Sequence, residues 1–183
     1  MTKIYRRFAP GEDIPVLQQL QRRKLFKFYG RESMAAVFTA LLLSKECNLD
    51  ALTPFYYSGG MLENLDFQKQ IRRPLPGESV HKVLMELSPA SSFRLMRNMA
   101  PAFVSMELGL KGDDAVVIDS AQALLYAAVT APGDAPVLIG TACVHEDGSA
   151  EAGFALGTRQ EFLSHPLFGR EAPAIDLFRP CQL

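Results

Sequence analysis

The segment Ala115-Val116-Val117-Ile118-Asp119-Ser120-Ala121-Gln122-Ala123-Leu124-Leu125-Tyr126-Ala127-Ala128 constrains this chain more than any other. Its first five residues have the short, β-branched, apolar character of a buried strand. Ser120 then offers a side-chain oxygen to the free amides of a helix beginning at Ala121 and predicted to run to Thr130. A strand that turns tightly into a helix lifts one side chain to the head of that helix, where the positive end of the dipole stabilises an anion. That place is held by Gln122, whose neutral amide is no nucleophile. A second apolar run, Val137–Ala142, follows the helix, and strands alternating with helices argue for an α/β fold with a sheet layered by helices.

The rest of the chain fits that layout. Val16, Leu17, Leu20, Lys24 and Phe28 fall near helical spacing, on a face made basic by Arg22, Arg23, Lys24 and Lys27. Ser33 is placed to cap a helix whose stripe is Met34, Val37, Phe38, Leu41 and Leu42. Phe55-Tyr56-Tyr57 forms a short β-type run ended by Ser58-Gly59-Gly60. Helical spacing returns over Leu62–Arg72 and again over Ser79–Leu87. Pro101 is tolerated only in a first turn, which starts the next helix near Met99. From Phe168 to Leu183 the chain has the composition of an irregular tail wrapped on the domain.

Composition excludes several function classes. With 183 residues and 48% hydrophobic content the chain has material for one domain with a sizeable core. A net charge of −1 provides no electrostatic footprint for nucleic acid or an anionic membrane. The longest apolar stretch, Ala35–Leu43, is far too short to span a bilayer, and Met1–Phe8 is followed by no apolar signal core. Cys47, Cys143 and Cys181 are odd in number and widely spaced, which suits a reducing cytoplasm; they lack metal-ligand spacing, and neither a metal nor a cofactor is expected.

Isolated chemistries are weaker than bland readings of the same residues. Ser120 as a nucleophile needs an oriented base, so the helix cap is preferred. Asp119 is read as serving the backbone, and Gly59-Gly60 as a turn without the glycine and lysine pattern of a phosphate loop. His145-Glu146-Asp147 is read as a solvated turn before Gly148, and Arg22-Arg23-Lys24 as a solvated helix face whose alternative is docking an acidic partner protein.

The strand–turn–helix segment resembles the nucleophile turn of the β-ketoacyl synthases of the thiolase-like fold, where the strand ends in Asp-Thr-Ala-Cys and here reads Asp119-Ser120-Ala121-Gln122. The resemblance extends in order along the chain. It takes in Arg23–Lys45 as a first long helix and Pro54–Gly60 as an early strand. The block Ser88-Pro89 to Asn98-Met99 resembles a Ser-Pro…Asn-Met stretch, and Pro101–Gly112 a helix ending in Gly-Leu-Lys-Gly. Val137–Ala142 and Gly148–Gly157 are similar to the strands that follow. It covers roughly 23–157 within a single domain, 1–183. Gln in place of the nucleophilic Cys marks the chain-length factors that pair with active ketosynthases. His81, His145 and His165 do not sit in the family's histidine motifs, and the length corresponds to one of the family's two halves.

The resemblance implies the N-terminal half of a thiolase-like fold and a non-catalytic, cytoplasmic subunit. Such a subunit would form a heterodimer or larger complex with a full-length ketosynthase, meet the acyl carrier protein only indirectly, and shape an acyl tunnel, as in aryl-polyene-type synthases. Carried over residue by residue, Ala115, Val116, Val117, Ile118 and Asp119 become the partner interface. Phe93, Leu95, Met96 and Met99 become the tunnel floor, with ordinary core packing as the competing role for Leu95 and Met99. Gln122 would fill the vacated cysteine site, hydrogen-bonded to nearby backbone. An uncovered strand edge and apolar face are expected. Two alternatives stay open: a standalone malonyl-carrier-protein decarboxylase using Gln122, and a purely structural half-domain.

Overall fold

The computed structural model describes residues 1–59, 74–85, 98–117 and 119–180. The predicted helix over Leu62–Arg72, the end of the one over Ser79–Leu87, and Phe93, Leu95, Met96, Ile118 and Cys181 lie outside the described residues. The protein is a mixed α/β structure built on five strands: β1 (Thr2–Phe8), β2 (Phe55–Gly59), β3 (Asp114–Val117), β4 (Val137–Val144) and β5 (Ala150–Gly157). The described α-helices are α1 (Arg31–Glu46), α2 (Val80–Met85), α3 (Met99–Leu108), α4 (Ala121–Thr130) and α5 (Arg159–Leu163). Short 3-10 helices occupy Arg23–Phe28 and Ala174–Leu177. No described helix is long and apolar enough to cross a membrane.

The strand order is β1-β5-β4-β2-β3. β3, β2 and β4 run parallel, with Tyr57 opposite Val116 on one side and Gly140 on the other. β5 returns antiparallel to β4 and pairs antiparallel with β1. Period-2 alternation then splits the side chains between two cores. Ile4, Phe8, Phe55, Tyr57, Leu138, Ala142, Ala152 and Phe154 meet α1 and α3 on one face. Tyr56, Val137, Ile139 and Ala155 meet α4, Phe162 of α5 and the 3-10 helix near the C-terminus on the other.

Helix α1 is more deeply embedded than its predicted stripe. Ala35, Ala36, Val37, Ala40, Leu41 and Leu43 are buried, while Met34, Phe38 and Leu42 are half-buried. Four small residues, Ser33 among them, let the helix press against neighbours on several sides. Ser33 is not the cap: the helix starts two residues earlier, after Gly30 in extended conformation, and Ser33 is buried inside the first turn.

Nor does a long helix begin at Arg23. The 3-10 helix Arg23–Phe28 ends at Tyr29, which stacks on Phe103 with ring centroids 4.3 Å apart. The preceding turn is held by a buried carboxylate. Glu107 accepts the backbone N–H groups of Gln21 at 2.7 Å and Arg22 at 3.2 Å. Those bonds fix the turn leading into the 3-10 helix, and the interruption itself falls at Tyr29 and Gly30, which are both extended.

Helix α3 follows the prediction: Pro101 is its third residue, within the first turn. Its end is set by Gly109 in the left-handed conformation, φ 70°. The β3 segment has the composition of a buried strand, yet Asp114, Ala115 and Val116 are exposed and Val117 is half-buried, because β3 is the last strand of the sheet among the described residues.

Beyond α5 the chain from 164 to 180 forms a strap across the second core. Ala174, Leu177 and Phe178 are buried there with Leu124, Leu125 and Ile139. The strap lies so close to β5 that a Cβ on Gly153 would come within 2.2 Å of Phe178 Cβ and Cγ. The second core around α4 is therefore covered by α5 and the strap.

Candidate functional site

The turn from β3 into α4 has the geometry that its sequence predicts but not the occupancy. Ser120 takes an extended conformation and its Oγ accepts the Ala123 N–H at 3.2 Å. Ser120 C=O accepts the first helical bond, from Leu124, at 3.1 Å. The hydroxyl is a cap, so Ser120→Ala is expected to lower stability by about 1 kcal/mol. A urea-unfolding midpoint that does not move would contradict the assignment.

Asp119 serves the backbone from the other side: its Oδ1 accepts the Ala174 N–H at 3.0 Å. The Ala172 carbonyl in turn accepts the Ala121 N–H at 2.8 Å. The amides of Ala121 and Ala123 at the head of α4 are thus both engaged inside the chain. A helix head so occupied has lost two of the donors that would stabilise a developing oxyanion.

Gln122 departs from its expected role. Ala121 is fully buried, but Gln122 points outward from the helix and is exposed, as is Tyr126 one turn later. The glutamine therefore fills no vacated site. Helical periodicity explains the difference: the buried positions of α4 are Ala121, Leu124, Leu125 and Ala128, which leaves 122 and 126 on the opposite side.

The two edges of the sheet differ in kind. β1 carries Lys3, Arg6 and Arg7 outward, the charged side chains that guard an edge against further pairing. β3 presents Ala115 and Val116 with Asp114 at its start, and Val116 is 42% exposed. The Phe55 N–H donates to the Asp113 carbonyl at 2.8 Å. By the alternation of a parallel ladder, Ala115 and Val117 then aim their N–H groups at β2, and Asp114 and Val116 aim theirs at the open edge. A groove of about 280 Å³ runs beside β3, lined by Asn98, Pro101 and Ala102 of the α3 end together with Phe55 and Ala115. Met99 takes no part in that lining; it is half-buried against the first core. Arg22, Arg23, Lys24 and Lys27 are exposed, with the Lys27 ammonium 4.9 Å from the Phe28 ring centroid.

A second polar constellation was not foreseen. Glu151 on β5 is 2% exposed and receives four hydrogen bonds. Arg179 donates Nε to one oxygen at 2.8 Å and Nη2 to the other at 3.1 Å. The Tyr5 hydroxyl donates at 2.7 Å, and His145 Nε2 lies 3.0 Å from Oε1. His145 is therefore no freely solvated turn residue; only Glu146 and Asp147 beside it are exposed. Burial pushes the Glu151 carboxyl up, but the hydrogen bonds from Arg179 and Tyr5, the Arg179 charge and the His145 contact outweigh it and hold the group at about 2. Burial first, and the Glu151 carboxylate second, push the Tyr5 hydroxyl up to about 12.

Cys143 lies 3.8 Å from the same His145 Nε2. A thiol–imidazole–carboxylate relay needs the two ring nitrogens to face different partners, and here one nitrogen faces both. Burial, with the Glu151 and Asp119 charges adding to it, pushes the thiol up to about 12, which leaves it protonated and inert. Among the described residues no group of three or more His, Cys, Asp or Glu side chains could hold a metal ion. The sequence did carry one signal for this cluster: a glutamate within the small, apolar strand Ala150–Gly157.

No model of a known protein family matches the chain, and no curated protein matches it.

Proposed function

We propose that this protein is a non-catalytic subunit that pairs through β3 with a full-length β-ketoacyl synthase, in the manner of a chain-length factor of a type II system. The observation that carries the reading is the edge of β3, which no described strand covers, in a sheet whose other edge is lined with cations. An apolar strand with outward-facing N–H groups invites another strand. The absence of chemistry at the turn agrees with a pairing role: Gln122 is not nucleophilic, and the strap engages the amides of Ala121 and, through Asp119, its own Ala174. Control of product length by Phe93, Leu95, Met96 and Met99 remains part of this proposal, as does a cytoplasmic location.

The test is the mass in solution of the 20.2 kDa chain, alone and co-expressed with a ketosynthase from the same genome. Wild type is expected to co-purify as a heterodimer. Val116→Pro removes an outward N–H without touching the inward ladder and is expected to weaken pairing by at least tenfold, with the thermal unfolding midpoint nearly unchanged. A monomer that ignores the ketosynthase, or pairing indifferent to Val116→Pro, would exclude β3 as the joining edge. Ketosynthase turnover by the purified chain alone would exclude the non-catalytic reading.

A further inference from the structure

On the face that carries the second core, the sheet is apolar at one end and polar at the other. The polar end forms a pocket of about 710 Å³ lined by Tyr5, Arg7, His145, Asp147, Ser149 and Glu151 and bounded by Arg179 and Pro180 of the strap. Its volume is that of a small-molecule site. It opens at the C-terminal end of β4, which runs parallel to β2, and strand C-termini are where open α/β sheets bind their ligands.

Its walls are held in place and yet incompletely used. The Glu151 network orients Tyr5, His145 and Arg179. An ionised carboxylate only accepts, so His145 Nε2 carries a hydrogen and donates it to Glu151. Arg7 forms no ion pair with any described residue. Asp147 Oδ1 takes the backbone N–H of Ser149 at 2.8 Å, and the Ser149 side chain together with that N–H holds the exposed Asp147 carboxyl below its ordinary range.

We infer that this pocket binds a small carboxylic acid with a hydrogen-bond donor beside the carboxylate, the chemistry shared by α-amino and α-hydroxy acids. The Arg7 guanidinium matches a carboxylate bidentately. The Asp147 carboxylate receives the neighbouring N–H or O–H beside the His145 ring, and it disfavours an anion that brings no donor. This site is independent of the pairing proposed for β3, on the far side of the sheet.

The experiment is titration of the whole chain, followed by calorimetry and by the NMR signals of the His145 ring and Arg7 guanidinium. The probes are L-serine, L-aspartate, lactate, acetate and inorganic phosphate at millimolar concentration. Binding of an amino acid or lactate is expected to shift both signals, with acetate and phosphate at least tenfold weaker. Arg7→Gln, on an exposed side chain, is expected to weaken binding at least tenfold, and Asp147→Asn to narrow the preference over acetate. Preference between serine and lactate identifies which donor the site takes. Silence from every probe, equal binding of acetate or phosphate, or an affinity unmoved by Arg7→Gln would overturn the inference.

Discussion

Arg179→Met will destabilise the folded chain by about 3 kcal/mol at neutral pH, because it strips the charge partner from a carboxylate that cannot return to water. Glu151 is 2% exposed, and Arg179 supplies two of its four hydrogen bonds and its only guanidinium. The remaining contacts, from the Tyr5 hydroxyl and His145 Nε2, supply hydrogen bonds but not the bidentate guanidinium that Arg179 provides. The effect has a defined pH dependence. In the wild type the Glu151 carboxyl is held at about 2, below its value in the unfolded chain. Its stabilisation is therefore present above the ordinary carboxylate range and is lost as pH falls from about 4.5 toward 2. Without Arg179 burial dominates, the carboxyl rises, and protonation relieves the buried charge. The gap between wild type and Arg179→Met should therefore narrow steadily as pH falls below 5, as measured by urea unfolding at a series of pH values. A gap that stays constant with pH would show that Arg179 acts through packing alone. Adding Glu151→Gln to Arg179→Met should recover part of the loss, since the uncompensated charge is then gone.

The second large effect is expected at Gly153. A valine there is a good strand residue in isolation, and β5 is flanked by β1 and β4 on both sides. The strap forbids it: the new Cβ would meet Phe178 Cβ and Cγ at 2.2 Å, inside any permissible contact. Phe178 is 1% exposed and closes the second core, so it has nowhere to retreat without opening that core. Gly153→Val should cost about 3 kcal/mol and lower the melting temperature by roughly 6–12 °C for a chain of this size. The smaller change Gly153→Ala should cost much less when Phe178 is already alanine, a coupling that a double-mutant cycle measures. Displacing the strap also frees the Ala121 amide from the Ala172 carbonyl. Hydrogen exchange at Ala121 should then accelerate in Gly153→Val relative to wild type. Unchanged exchange with full stability would mean that the strap does not close on β5 as described.

Both predictions concern contacts between residues far apart in the chain, and this is where legibility ended. Local signals served well. Helix α4 occupies Ala121–Thr130 as predicted, since a serine cap and an apolar periodicity are properties of ten adjacent residues. The Pro101 rule located the start of α3, and the glycine-ended aromatic run became β2. The α/β class followed from that alternation.

Signals that required a partner failed. Ser33 has a capping side chain but lies inside α1, because Gly30 already supplies the entry into the helix. The run expected to be one helix from Arg23 is interrupted at Tyr29 and Gly30, both extended, where Tyr29 turns to stack on Phe103 of a helix far along the chain. His145, read as a turn residue, became part of a buried network because Glu151 and Arg179 came to meet it. Gln122 was placed correctly at the head of α4, yet which way it faced depended on the side of the helix that the second core would claim.

The amino-acid sequence alone determined the places of β2, α3, α4 and β4 and the non-nucleophilic side chain at position 122, since propensity, capping and side-chain chemistry are local. Tertiary structure alone decided that the strap covers the second core and that Glu151 gathers four hydrogen bonds around one buried charge. Burial and pairing are properties of what lies across the sheet, and the energy of a contact is fixed by the partner that folding brings to it.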